Sequence, residues 1–152
     1  MPLNAVLGMR GDSMKEISGK AVLIAIVLVM AADLAIGLGL LVVLGSGTFR
    51  SGMSDQELLE WLDAVTLGTP NLLATALLGT LSTVMGGYVA ARLAKRAPYL
   101  NASMVAALGV LIGVATAKDY PLWFNLVGFG LVLPAALPGG HIAARPKVGG
   151  DA

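Results

Sequence analysis

Asp33 has the clearest chemical consequence of any residue in this chain: it lies near the middle of the apolar run 21–45, in which no other side chain is charged. Even on the lenient insertion scale, a charge at the centre of a spanning helix costs about 2.5–3.5 kcal/mol. No lysine, arginine or histidine falls at the same depth of another apolar run, so an ion pair within one chain is not expected. Thr80, Ser82 and Thr83 do fall at that depth. The expected state of Asp33 is therefore an uncharged carboxylic acid that donates its proton to a hydroxyl or a carbonyl. Such a proton can exchange, which suits a proton- or cation-coupled carrier in which deprotonation and substrate binding compete at Asp33. The plainer role, and the preferred one, is a neutral acid that joins helices or faces a partner protein.

Other chemistry finds little support. The only histidine, His141, has no second histidine or carboxylate at ligand spacing, so neither a metal site nor a haem pair is indicated. The chain lacks a G-x-S-x-G elbow, a phosphate-binding loop and H-E-x-x-H. Ser46, Ser51 and Ser54 stand near Asp55 and Glu57 without a histidine to act as base. Cysteine is absent, which removes disulfides, thiolate nucleophiles and iron–sulfur ligation. A net charge of +1 does not point to nucleic acid. The expectation is a protein without enzymatic activity and without a cofactor.

The elements that must position Asp33 are long apolar segments. Four runs, 21–45, 72–91, 102–117 and 122–137, contain no charge other than Asp33. About 20 apolar residues cross roughly 30 Å of hydrocarbon, and the two shorter runs reach that length by taking in flanks such as 99–101 and 139–140. Hydrophobic residues make up 57% of the chain and charged residues 12%, too few charges to coat a soluble domain of this size. The fold class is therefore an all-α integral membrane four-helix bundle, surrounded by lipid, with spans at about 21–45, 70–92, 99–117 and 121–140. These lie in a membrane domain 21–145, preceded by an N-terminal arm 1–20 and followed by a tail 146–152. The first run, of about 25 residues, exceeds the 7–15 of a signal h-region and reads as an uncleaved anchor.

Between the first two spans, Ser54-Asp55-Gln56-Glu57 has the S-x-x-E form of a capping box. Leu58, Trp61, Leu62 and Val65 then recur at helical spacing, which predicts a short amphipathic helix over 55–66 on the membrane–water boundary. Trp61, Tyr120 and Trp123 suit that boundary, because each ring is apolar and each polar tip can stay wet. Thr69 followed by Pro70 predicts a cap and a first helical position for the second span. The third span follows Pro98 and the fourth Pro121, whereas Pro134 lies inside its run and should kink the helix or loosen its last turns.

Basic residues orient the spans. Arg10, Lys15 and Lys20 precede the first, Arg92, Lys95 and Arg96 follow the second, and Arg145 and Lys147 follow the fourth. The other two, Arg50 and Lys118, lie in connections with Asp55, Glu57, Glu60, Asp63 and Asp119. The positive-inside rule therefore puts both termini and the 92–98 loop in the cytoplasm, with Arg92, Lys95, Arg96 and Arg145 as anchors. Asn101-Ala102-Ser103 has the N-x-S form but falls on that inner side, out of reach of glycosylation.

Small residues form stripes along the spans. Thr75, Gly79, Thr83, Gly87 and Ala91 follow at intervals of four in the second; Gly109, Gly113 and Ala117 do so in the third, and Ala31, Ala35 and Gly39 in the first. Such stripes let helices approach closely, so Gly79, Gly87, Gly109 and Gly113 are expected to pack within a bundle or between copies. The segment Gly86-Gly87-Tyr88-Val89-Ala90-Ala91-Arg92 is echoed by Gly139-Gly140-His141-Ile142-Ala143-Ala144-Arg145, identical at five of seven positions. The echo has two readings: a duplicated two-helix unit with a pseudo-axis along the membrane normal, or two tightly packed helix ends anchored by arginine.

The stretches GGYVAARLAKRAP, at 86–98, and PAALPGGHIAAR, at 134–145, resemble small bacterial four-span inner-membrane proteins that share a GGYxAxRxA motif. The resemblance covers about residues 70–145 and implies four spans in a bacterial cell membrane. It brings no catalytic residue with it, and Asp33 lies outside it. The leading expectation is an accessory or assembly component that packs with itself or in a larger membrane complex. The alternative is a small oligomeric proton- or cation-coupled transporter or channel that uses Asp33.

Overall fold

The computed structural model describes residues 17–117 and 120–145. Most of the expected N-terminal arm and the tail 146–152, with Arg10, Lys15 and Lys147, lie outside them, as do Lys118 and Asp119. Five helices follow in order: α1 Gly19–Gly45, α2 Asp55–Thr66, α3 Thr69–Ala94, α4 Pro98–Thr116 and α5 Leu122–Ala144. Four of them, α1, α3, α4 and α5, are long and apolar enough to cross a membrane. The chain is an all-α, multi-pass membrane protein.

Local chemistry sets most of the boundaries. Ser18 caps α1, its hydroxyl accepting from the Ala21 N–H. The capping box of α2 is complete: the Ser54 hydroxyl accepts from the Glu57 N–H, and the Glu57 carboxylate accepts from the Ser54 N–H at 2.7 Å. The Ser54 N–H, and then its hydroxyl, hold the Glu57 carboxyl below the usual carboxylate range. At the start of α3 the cap is Gly68 and not Thr69, and Thr69 and Pro70 both lie in the first turn. Pro134 does not end its helix, since α5 runs through both Pro134 and Pro138 to Ala144.

Trp61 makes contacts that its spacing in the sequence does not specify. Its indole N–H donates to the Thr48 hydroxyl at 2.9 Å, and its ring meets Phe49 edge-on at 5.3 Å between centroids. A Cβ at Gly45 would come within 2.6 Å of that ring, so the glycine ending α1 provides the seat on which α2 docks. Trp61 thus ties α2 to α1, whereas Tyr120 and Trp123 remain exposed at the same end of the bundle.

Helix α3 packs against all three other spans, and most extensively against α5, while α1 and α5 do not pack together. The core is lopsided along the membrane normal. Ala21, Val22 and Ala25 of α1, Ala90 and Ala91 of α3, Asn101, Ala102, Val105 and Ala106 of α4, and Ala135 and Ala136 of α5 bring the buried positions to one end, where the 92–98 loop lies. At the end carrying α2, the only buried helix residues among those described are Gly45 and Leu72. Alanine and glycine dominate the closed end, and that lack of bulk lets four helices converge there.

The loop closing that end has an unusual backbone. Lys95 (φ 58°) and Ala97 (φ 40°) both adopt the left-handed conformation that disfavours a side chain. Lys95 occupies the helix-ending position where glycine is most at home. Lys95→Gly should therefore unfold at a higher temperature in detergent than Lys95→Ala, by roughly 1 kcal/mol. Comparing the two variants with each other removes the effect of the lost charge, and equal stabilities would refute the strain.

Candidate functional site

Because α1 and α5 do not pack together, a cavity of about 630 Å³ opens between α1, α3, α4 and α5. It runs from Asp33, mid-way along α1, to Thr66 and Tyr120 at the α2 end. Its α3 wall is formed by Asn71, Thr75, Gly79, Thr80 and Thr83, on one face of that helix. Apolar side chains dominate the remainder, with the rings of Tyr120, Phe124 and Phe129 among them. Among the described residues, Asp33 and Tyr120 are the only ionisable groups in the lining, which includes no lysine, arginine or histidine.

Of the three hydroxyls expected near Asp33, one takes it. The Ser82 oxygen lies 2.5 Å from Asp33 Oδ1, while the Thr80 hydroxyl donates to the Ala76 carbonyl at 2.6 Å and Thr83 to Gly79 at 2.8 Å. Ser82 is itself 4% exposed, wedged between α3 and α1, and its oxygen is also 2.9 Å from the Gly79 carbonyl. A serine hydroxyl has one proton, which decides what this arrangement can do. When Asp33 is protonated, the acid donates to Ser82 and Ser82 donates to Gly79. When Asp33 is ionised, Ser82 turns its proton to the carboxylate and the Gly79 carbonyl keeps Thr83. In neither state is a hydroxyl left without an acceptor, so the site accommodates loss and gain of a proton by rotating one bond.

The small-residue stripe of α3 serves two purposes. Its upper part, Thr75, Gly79 and Thr83, faces the cavity, and a Cβ at Gly79 would meet nothing within 4 Å. Within one chain Gly79 therefore packs against no other helix, and the intramolecular part of its expected packing role is not filled. Its lower part packs tightly: a Cβ at Gly87 would run into the Ala136 carbonyl. Gly139 answers from α5, where a Cβ would collide with the Val84 carbonyl and lie 2.6 Å from the Tyr88 nitrogen. Gly87 and Gly139, one glycine of each echoed pair, thus meet at one crossing, whereas Gly86 faces Val29 and Val105 and Gly140 faces the first turns of α4. In α4, Gly113 makes room for the Phe129 ring, which a Cβ would approach to 2.9 Å, whereas Gly109 only touches Val132 at 4.0 Å. Both glycines line the cavity.

Arg92, Lys95, Arg96 and Arg145 are all exposed at the closed end. Arg92 and Lys95 border a separate cleft of about 490 Å³ with Pro98, Ala143 and Ala144. His141 is not solitary, since its Nδ1 lies 2.8 Å from the Tyr99 hydroxyl.

The cavity itself was not visible in the sequence. Its outer rim is held by two asparagines that sequence reasoning passed over: Asn71 Nδ2 donates to the Thr66 carbonyl at 2.8 Å, and Asn125 Nδ2 to Ala117 at 3.0 Å and Tyr120 at 3.2 Å. The available signal was the continuation of polar and small residues from Asn71 through Thr75 to Thr83 at helical spacing. Searches against protein-family models, curated proteins and solved structures find no match to this chain.

Proposed function

We propose that this protein is a small proton- or cation-coupled membrane carrier in which Asp33 is the coupling group. The observation that supports it is the shape of the bundle: a cavity joins Asp33 to the α2 end, and the glycine crossing of α3 with α5 shuts the other end. A carrier needs a mid-membrane site reachable from one side at a time, with an ionisable group that remains satisfied in both protonation states. Asp33 and Ser82 meet the second requirement by the proton count above. The concentration of basic residues at the closed end supports a bacterial inner-membrane orientation with both termini in the cytoplasm and the cavity facing outward. No step of this scheme needs an enzyme or a cofactor.

A second reading is favoured by a different surface. Ala31, Ala35 and Gly39, the small stripe of α1, are all exposed, and a Cβ at Gly39 would meet nothing within 4 Å. Such a face suits a second copy or a larger membrane complex, so the protein would act as an accessory or assembly component. The two readings are compatible if the carrier is a homo-oligomer. In liposomes loaded with a pH indicator, wild-type protein should move protons down an imposed gradient, and Asp33→Asn should reduce the rate to that of empty vesicles. A variant that carries protons as fast as wild type would exclude Asp33 as the coupling group.

A further inference from the structure

The chemistry of the cavity also specifies a class of ligand. A volume of about 630 Å³ lies within the roughly 300–1,000 Å³ typical of small-molecule sites, more than a bare metal ion or proton requires. Most of the wall is apolar, and it includes the aromatic residues Tyr120, Phe124 and Phe129, a residue type whose rings attract positive charge. Among the described residues, Asp33 is the single acid in the lining and sits at its inner end, and no basic side chain lines the cavity to receive an anion. At the other end, the cavity reaches Thr66, the last residue of α2, a helix that carries Asp55, Glu57, Glu60 and Asp63 and no basic residue. Carboxylates near an opening raise the local concentration of cations and lower that of anions.

We infer that the cavity binds a monovalent organic cation with an apolar or aromatic body, its charged centre against Asp33 and its body against the three rings. This rests on the carrier reading only for its purpose, since binding can be measured without transport. Charge balance fixes the accompanying step. The protonated acid gives up one proton to water as the cation enters, the carboxylate forms the ion pair, and the Ser82 proton turns from the Gly79 carbonyl to Asp33. The groups that face Asp33 from α3 are the hydroxyls of Ser82, Thr80 and Thr83, which do not titrate. From α4 and α5 the cavity receives no titratable side chain, and among the described residues Tyr120, in the turn between them, is the only other one in the lining. The released proton is assigned to Asp33, the titratable group placed against the cation's charged centre.

Two ions of matching shape and opposite charge, tetraphenylphosphonium and tetraphenylborate, test this on the purified full chain in lipid nanodiscs. Saturable binding of the cation is expected, with about one proton released into weakly buffered solution per site, and no saturable binding of the anion. Asp33→Asn should weaken the cation by roughly tenfold or more and abolish proton release. Gly79→Leu, at a position where a Cβ meets no neighbour, should fold normally and lose cation binding by filling the cavity. Saturable binding of both ions by wild type, or cation binding unchanged in Asp33→Asn, would overturn the inference. Cation binding without flux would sustain it and remove the carrier reading, whereas Asp33-dependent proton flux without cation binding would remove it and leave that reading in place.

Discussion

Gly139→Val is expected to prevent the bundle from closing, whereas Gly130→Ala, one helix face away on α5, should leave it intact. The difference lies in what each new Cβ would meet. At Gly139 the obstacles are the Val84 carbonyl and the Tyr88 nitrogen of α3, backbone atoms that no rotamer change can move. Relief requires α3 and α5 to separate, and their crossing carries the closed end of the protein. Between lipid-embedded helices the attraction is close packing and not exclusion of water, so even a small separation forfeits much of it. Overpacking costs up to about 3 kcal/mol where side chains can yield, and more is expected where backbone must move. At Gly130 a Cβ meets nothing within 4 Å, and alanine there should match wild type or gain about 0.5–1 kcal/mol from helix propensity. Thermal denaturation in mild detergent compares them, and equal midpoints would refute the crossing.

Asn101→Leu should be nearly as damaging, although the side chain is close in size. Asn101 is completely buried, and its amide joins three parts of the chain. Its Oδ1 accepts the Ser18 N–H at the start of α1, while Nδ2 donates to the Arg96 and Ala97 carbonyls at 3.0 and 3.1 Å. Leucine fills the space but leaves at least one N–H and one carbonyl without that partner, a loss of about 2–3 kcal/mol. The effect should be local as well as global. Amide exchange at Ser18 should accelerate, and proteolysis should begin within the 95–97 turn, whose left-handed residues Asn101 holds in place. A variant as stable and as protected as wild type would show that the packing around Asn101, and not its amide, closes this end.

Much of this architecture can be read from single segments, because the forces involved are local. Apolar length defines the four spans, and Ser54 with Glu57 marks the start of α2 at the observed residue. Proline places the starts of α4 and α5 to within one residue. What cannot be read from one helix is which helices become neighbours. The α3 stripe looks uniform from Thr75 to Ala91, yet only its Gly87 end meets α5, because the spans converge at one end and diverge at the other. Thr80, Ser82 and Thr83 lie at one depth, and only the rotation of α3 against α1 selects Ser82 for Asp33. Asn101 drew notice in the sequence only as an N-x-S form, since its role depends on Ser18, 83 residues away. The cavity is the strongest case: it exists because α1 and α5 share no extensive contact, a property of no single segment.

The central claim is that Asp33 communicates with the α2 side through the cavity and is closed off from the opposite side. The chain has no cysteine, so single substitutions can be labelled without background. Thr75→Cys and Thr83→Cys on the cavity wall, with Ala90→Cys in the closed end as a control, can be exposed to a membrane-impermeant maleimide from either face of oriented vesicles. The account predicts labelling at positions 75 and 83 from the α2 side alone, and none at position 90 from either side. Absence of labelling at position 83 from the α2 side, or equal labelling there from both sides, would contradict it.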